Sequence, residues 1–189
     1  MSPEITQTLY LTDRTAWRAW LAAHFQTEPE IWLLYPKQAT GRPRIAYNDA
    51  VEEALCFGWI DSIIKAYDED TSAQRFTPRK PGRPYSQTNK ERLRRLHAQG
   101  LLHASVLPEA QAALAEEFIW PADIMAAIRA NQDAWANFQT FSESYQRIRV
   151  AYIETARDRG PEFDKRLNNF IAKTAAGKQF GFGGIEAYF

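Results

Sequence analysis

The segment "ALCFGWID", residues 54–61, brings several residues that can do chemistry within eight positions. Cys56 is the only cysteine of the chain, and Asp61 could serve as an acid, a base or a binding carboxylate. A nucleophilic thiol needs a nearby base and a lowered pKa. No spacing places any of the three histidines beside Cys56, and the dipole near a helix end opposes a thiolate. The pattern therefore favours a buried structural cysteine over a nucleophile.

The sequence has no metal or nucleotide motif of recognised spacing. Its three histidines and one cysteine form no C-x-x-C or H-E-x-x-H pattern. The acidic run at residues 68–70 lacks the glycine and distal glutamate of a calcium loop, so we interpret it as a solvated hairpin turn. "GFGG" at residues 181–184 does not stand between a strand and a helix. We expect no metal and no cofactor.

Two blocks of opposite charge are adjacent in a chain whose total charge is zero. Residues 75–95 carry a net charge of +7, and residues 49–70 carry −6. The basic block, with Phe76 and Tyr85 interleaved, could bind a small anion or nucleic acid. Pairing of the two blocks with each other is the favoured interpretation. The candidate phosphate contacts are Arg83, Lys90, Arg92, Arg94 and Arg95.

The first hundred residues mix helices and strands. Trp17, Trp20 and Leu21 recur at helical spacing within residues 12–26, and "EIWLLYPK" is a short apolar run typical of a buried strand. Asn48 is a suitable N-cap for the next helix, and Gly58 is suited to its end. "DSIIKAY" and "AQRFTPR", on either side of a turn, indicate a β-hairpin.

The rest of the chain has helical patterns only. We expect helices starting at Ser86 or Thr88, Pro108, Pro121, Ser142 and Pro161. Early strands and late helices indicate an α+β fold with a small, mainly antiparallel sheet and N-terminal helices, followed by a C-terminal helical region. We predict an α+β region at residues 1–100, a helical region packed on it at 101–177, and a glycine- and aromatic-rich tail at 178–189. The tail could dock on the body or on another subunit, and in the second case the protein would be a homo-oligomer.

A binding pocket, if there is one, should lie where "GWID" leaves its helix and "FTPRKP" passes over it. Packing alone is the competing interpretation, with Asp61 and Arg79 forming a partly buried ion pair in a closed corner. The candidate pocket residues are Trp59 as a wall, Asp61 and Arg79 as polar groups, and Lys37, Ser86 and Asn89 as lining.

Several segments in order carry a family resemblance: "EIWLLYPK", "YNDAVEEALCFGWIDS", "RFTPRKP", "YSQTNKERLRRLHAQGLL" and "FSESYQRIRVAYIETARDRGPEFDKRLNNFIA". Over residues 12–177 the chain resembles the YdeI/OmpD-associated family, also called the bacteriocin-protection family. "ALCFGWID" and "FTPRKP" are its most specific segments. The chain departs from the family pattern at Tyr85–Ser86, where a Trp-Ser pair is usual, and at Leu102, where methionine is usual. Neither change removes a functional group.

The resemblance implies stress resistance or protection against antimicrobial peptides, and names no substrate. We expect a protein that acts by binding a protein, peptide or small anion, with catalysis the less favoured role. The alternatives are a nucleic-acid binder that uses residues 75–95 and an enzyme with Asp61 as acid or base. No segment approaches the roughly 18 apolar residues of a membrane span, and the N-terminus lacks a basic-then-apolar leader. We therefore expect a cytoplasmic protein without membrane insertion.

Overall fold

The computed structural model describes residues 3–181, 185 and 189. The chain divides into two compact units. The first consists of Met1–Pro84 and Arg92–Leu114, and the second consists of Tyr85–Glu91 and Ala115–Phe189. The predicted regions at residues 1–100, 101–177 and 178–189 stay predictions. Each unit is described by itself below.

The first unit contains a four-stranded sheet whose strands are β1 (Thr8–Leu9), β2 (Ile31–Pro36), β3 (Trp59–Ala66) and β4 (Thr71–Pro78). The strand order is β1-β2-β4-β3. β2 and β3 both run antiparallel to β4, whereas β1 runs parallel to β2. The α+β prediction is confirmed, with a mixed sheet. The two-residue β1 was not predicted, because so short a strand has no measurable periodicity.

Helix α1 (Arg14–His24) lies against both the sheet and the next helix, α2 (Tyr47–Cys56). Asp13 caps α1 by accepting a hydrogen bond from the backbone N–H of Ala16 at 2.9 Å. The Trp17 ring meets Phe76 of β4 edge-on, and its Nε1 donates to the Ala50 carbonyl at 2.9 Å. Trp17, one of the residues at helical spacing in α1, therefore belongs to the core.

Helix α2 begins one residue before the N-cap that the sequence predicted. Ala46 occupies the cap position and makes no side-chain capping bond. The buried Asn48 is instead the second residue of α2, and its Oδ1 accepts a hydrogen bond from Arg92 at 2.6 Å. The prediction of an Asn48 cap was wrong because a tertiary contact takes the side chain that the cap would have used.

Gly58 ends α2, as predicted, and starts the hairpin of β3 and β4. Its φ is +72°, a left-handed conformation that glycine adopts without a Cβ clash. Its N–H donates to Leu55 at 3.1 Å, and its carbonyl accepts from the N–H of Arg79 at 2.8 Å. In the hairpin register Asp61 faces Phe76, and an irregularity follows in β3 between Asp61 and Ile64.

Helix α3 (Gln87–Ala98) starts within the predicted window and is followed by Gly100, whose φ is +68°. Its residues from Arg92 onwards belong to the first unit, together with α4 (Leu107–Ala115) up to Leu114. The earlier residues of α3, Gln87 to Glu91, belong to the second unit.

The second unit continues with four helices, α5 (Ala122–Ala130), α6 (Gln132–Thr140), α7 (Glu143–Glu154) and α8 (Gly160–Ala175). The predicted starts near Pro121, Ser142 and Pro161 are confirmed. Helix α6 was not predicted; Asn131 caps it by accepting from the N–H of Ala134 at 2.9 Å. The core of this unit includes Ile124, Ile128, Phe138, Tyr145 and Phe170.

The described part of the C-terminal tail packs on the second unit. Phe180 lies against its core, and the Tyr145 hydroxyl both donates to the Phe180 carbonyl at 3.0 Å and accepts from the Phe180 N–H at 2.8 Å. Ile185 is buried as well. Most of the "GFGG" motif, residues 182–184, lies outside the described residues.

Candidate functional site

Cys56 is the last residue of α2 and is fully buried, as predicted. Burial, followed by the charge of Glu53, raises the pKa of its thiol to about 11. A thiol in this state is protonated at neutral pH and is a poor nucleophile. The chemistry of "ALCFGWID" therefore depends on Asp61.

Asp61 lies on β3 with hydroxyl and amide partners. Its Oδ2 accepts a hydrogen bond from the Tyr47 hydroxyl at 2.8 Å and from Gln74 Nε2 at 3.3 Å. Gln74 also donates to the Ser62 carbonyl at 3.3 Å, which holds its amide in place. Burial raises the pKa of the Asp61 carboxyl, and the Tyr47 hydrogen bond and the charge of Arg92 oppose that rise.

Tyr35 belongs to the same group of side chains. In the sheet register Tyr35 of β2 faces Ser72, and Gln74 lies two residues further along β4. Directly paired residues, and residues two apart on a strand, project from the same face of a sheet. Phe76 lies two residues after Gln74 on β4 and is paired with Asp61 of β3. Tyr35, Gln74 and Asp61 therefore share one face of the sheet.

The Tyr35 hydroxyl is buried without a hydrogen-bond partner among the described residues. Burial raises the pKa of Tyr35, and the charges of Tyr47 and Asp61 raise it further. Burial and Asp61 likewise raise the pKa of Tyr47. We call Tyr35, Tyr47, Asp61 and Gln74 the Asp61 cluster. Tyr47 and Asp61 are partly exposed, so solvent reaches one side of it.

Arg92 supplies positive charge near the Asp61 cluster. Its side chain is buried, its Nη2 donates to Asn48, and burial lowers its pKa against the opposing charges of Tyr47, Glu52 and Asp61. The positive charge of Arg92 thus partly offsets the charge of Asp61. The hydrogen bonds to Asp61 Oδ2 come from Tyr47 and Gln74.

The predicted pocket residues of the first unit take different partners. Trp59 is buried, and its Nε1 donates to the Phe25 carbonyl at 3.0 Å. Lys37 is exposed, and its Nζ donates to the Glu69 carbonyl at 2.6 Å. Arg79 Nη2 donates to the Arg83 carbonyl at 2.6 Å and lies 3.5 Å from Glu109 Oε1.

The structure therefore gives Asp61 and Arg79 separate partners in place of the predicted ion pair. The Asp61 carboxylate contacts a tyrosine and a glutamine, while Arg79 contacts a backbone carbonyl and Glu109. Ser86 and Asn89 belong to the second unit, where the Ser86 hydroxyl accepts from the N–H of Asn89 at 3.3 Å. Their role as pocket lining stays a prediction.

Several basic side chains of residues 75–95 have acidic or polar partners. Arg75 pairs with Glu30 through its Nε at 2.7 Å, and Arg95 pairs with the buried Glu52. Lys90 pairs with Glu116 in the second unit. Arg83 is exposed and Arg94 is partly exposed. The Arg95–Glu52 pair agrees with the interpretation in which the two charged blocks pair with each other.

Sequence reasoning found Asp61 but missed the side chains that surround it. Tyr47 stands beside the predicted cap Asn48, and Tyr35 lies in an apolar run, so neither position indicates a polar site. Gln74 carried the usable signal, because it shares a strand face with the buried Phe76, and a polar side chain on a buried face needs a hydrogen-bond partner. The sheet register is what brings it to Asp61.

Within residues 3–181, 185 and 189, no group of three or more His, Cys, Asp or Glu residues could hold a metal ion. None of the described helices has the length and apolar character that a bilayer crossing requires. The expected cytoplasmic location stays a prediction.

Two family models match different parts of the chain. Residues 117–177 match the bacteriocin-protection, YdeI or OmpD-associated family, which confirms the predicted resemblance over that segment. Residues 9–109, which include "ALCFGWID", "FTPRKP" and the whole Asp61 cluster, match a domain of unknown function, DUF8412. No curated protein and no solved structure matches the chain. Since the second model covers more than half of the 189 residues, the chain belongs to the DUF8412 family.

Proposed function

We propose that this protein is a bacteriocin-protection-like protein that binds a peptide or protein segment at the Asp61 cluster. The observation that carries the proposal is a partly exposed carboxylate on the same sheet face as a buried tyrosine hydroxyl that has no partner among the described residues. Buried polar groups are normally hydrogen-bonded, and those left over mark places where a ligand can contribute the missing partner.

A polypeptide is the favoured partner class for two reasons. The description of the family matched by residues 117–177 refers to bacteriocin protection, and polypeptides present both N–H donors and carbonyl acceptors. The Asp61 carboxylate accepts hydrogen bonds, and the Tyr35 hydroxyl can donate one. A small anion fits less well, because its charge would meet that of Asp61.

The basic segment is a weaker candidate for the partner surface. Nucleic-acid binding depends on cationic side chains that can release counterions from phosphates. Arg75, Arg95 and Lys90 already have carboxylate partners, so they would have to break these pairs. The proposal therefore uses the Asp61 cluster.

The test is binding of blocked pentapeptides, acetylated and amidated at their ends, from a library that varies the central residue. Affinity is measured by calorimetry for the wild type and for Asp61→Ala, which removes the acceptor. We expect at least one peptide to bind the wild type and to lose tenfold or more in affinity with the variant, since hydrogen bonds to charged groups contribute about 1.5–3 kcal/mol. Asp133→Ala, at an exposed position of α6, is the control and should bind like the wild type.

Two results would contradict the proposal. One is a library in which no peptide binds the wild type. The other is binding that Asp61→Ala and Asp133→Ala change equally, because the partner would then contact another surface.

An acid or base role for Asp61 is the second candidate, and the raised pKa of its carboxyl favours it. A carboxyl whose pKa is raised holds its proton more readily and can deliver it to a bound group. Mass spectrometry of the same library after long incubation is the test. New product masses that Asp61→Asn abolishes would support catalysis, and unchanged peptides that still bind would support binding alone.

A further inference from the structure

We infer that the group recognised by the Asp61 cluster is an uncharged amide, either a peptide bond or the side chain of Asn or Gln. This inference rests on the proposed function and specifies its ligand. It is carried by the hydrogen-bonding capacity that the four side chains leave unused and by the balance of charge around them.

The unused acceptor is on Asp61. Tyr47 and Gln74 both donate to Oδ2, at 2.8 Å and 3.3 Å. Among the described residues no side chain donates to Oδ1, and the carboxyl has one further hydrogen bond, from the Asp61 backbone N–H. A carboxylate has about four lone-pair positions, so this oxygen can accept a hydrogen bond from a ligand N–H. Protonation of the carboxyl would leave an acceptor oxygen as well.

The unused donor is on Tyr35. Tyr35 is only 7% exposed, and its hydroxyl has no partner in the described part of the chain. It lies on the same sheet face as Asp61 and Gln74. Leaving a buried hydroxyl unpaired costs free energy. A ligand carbonyl that accepts from this hydroxyl would recover that free energy.

Charges of both signs around the cluster disfavour a ligand group that carries a full charge of either sign. Asp61 would repel a carboxylate or phosphate of the ligand. An ammonium or guanidinium would meet Arg92, whose charge acts on Asp61, and Arg44, whose guanidinium carbon lies 6.0 Å from the centre of the Tyr35 ring. A neutral group avoids both repulsions. An amide has the required donor and acceptor in one planar unit.

The experiment compares three small probes of equal length, butyramide, butyrate and butylammonium. Each is titrated into the full chain labelled with ¹⁵N, and the side-chain amide of Gln74 and the backbone amide of Asp61 are followed by NMR. We expect butyramide to give saturable shifts with a Kd at least tenfold lower than that of either charged probe. Probes of this size can reach measurable affinity when the binding free energy per non-hydrogen atom is high.

Tyr35→Phe is the variant that tests the donor, with Tyr67→Phe as its matched control. Removing one hydrogen bond of about 0.5–1.5 kcal/mol predicts a two- to twelvefold rise in the Kd of butyramide for Tyr35→Phe. Tyr67 is exposed in the turn after β3, so its variant should bind like the wild type. Neither change removes packing atoms of the ring, which keeps loss of folding out of the comparison.

The outcomes separate this inference from the proposed function. Tighter binding of butyrate or butylammonium at the same two signals would overturn the amide assignment and leave Asp61-dependent binding intact. Pentapeptides that bind through Asp61 while no small probe shifts either signal would also overturn it. Absence of binding by every probe and every peptide would overturn both.

Discussion

Two carboxylates, the buried Glu91 in the second unit and the partly exposed Asp61 in the first, differ in how fully the chain itself satisfies them. Glu91 of the second unit has a side chain with no exposure, and both of its oxygens are occupied. Arg147 donates to them at 2.6 Å and 2.9 Å, Ser144 at 2.8 Å and Gln87 at 2.7 Å. On Asp61 of the first unit, both side-chain donors, the Tyr47 hydroxyl and the Gln74 amide, contact the same oxygen, Oδ2. A carboxylate whose acceptors are filled by the chain is structural, whereas one with capacity left over can serve a ligand.

Two buried tyrosines show the same contrast. Tyr145 of the second unit uses its hydroxyl as both donor and acceptor with the backbone of Phe180. The hydroxyl of Tyr35 in the first unit has no partner in the described residues. If polar satisfaction separates structure from function, matching substitutions in the two units should change stability in different ways.

The largest effect is expected for Glu91→Ala. The change leaves the guanidinium of Arg147 without its buried partner, and breaking a buried ion pair costs about 3–5 kcal/mol. Urea unfolding followed by tryptophan fluorescence measures the loss in free energy of unfolding. Glu143→Ala is the control, because Glu143 pairs with the same arginine at 2.8 Å but its side chain is 74% exposed. That variant should lose less than about 1 kcal/mol. Equal losses of free energy of unfolding for the two variants would show that the buried Glu91 contributes no more than the exposed Glu143 does.

Tyr145→Phe should have the next largest effect. It removes a hydroxyl that joins α7 to the tail through two hydrogen bonds, so the free energy of unfolding should fall by about 1–2 kcal/mol. Hydrogen exchange of the Phe180 amide, which donates to this hydroxyl at 2.8 Å, should become faster. An unchanged exchange rate at Phe180 would mean that the tail is held by its apolar contacts alone.

Tyr35→Phe should change stability in the opposite direction. Deleting a buried hydroxyl that has no partner removes a desolvation cost, so the free energy of unfolding should rise by about 1 kcal/mol. Thermal and urea unfolding of this variant beside Tyr145→Phe make the comparison direct. A loss for Tyr35→Phe as large as that for Tyr145→Phe would show that the Tyr35 hydroxyl is satisfied in solution, and would remove the donor from the proposed site.

The sequence predicted the elements of this protein better than the contacts within its site. Periodicity and caps gave α1, the hairpin and the helices near Pro121, Ser142 and Pro161, because local patterns determine them. The ion pair of Asp61 with Arg79 was inferred from their position in two motifs. Motif position does not give sheet register, and the register instead brings Gln74 to Asp61.

The smallest expected effect, and the one that isolates Asp61, is on the pH dependence of stability. Burial raises the pKa of Asp61, so the folded protein holds this proton more tightly than the unfolded chain does. Its contribution to stability is complete below the unfolded pKa of about 4 and is lost as pH rises through the folded pKa. Asp61→Asn cannot titrate, so the wild-type free energy of unfolding minus that of the variant should fall across this range.

Asp68→Asn in the same hairpin is the control with the opposite sign. A hydrogen bond from the backbone N–H of Asp70 lowers the pKa of Asp68, so its contribution to stability is present above the unfolded pKa and is lost as pH falls. The wild-type value minus that of Asp68→Asn should therefore rise with pH. Urea unfolding at several pH values between 3 and 8 measures both differences. If the two differences changed with pH in the same direction, the Asp61 carboxyl would behave like an ordinary surface carboxylate. The contrast with Glu91 would then rest on burial alone.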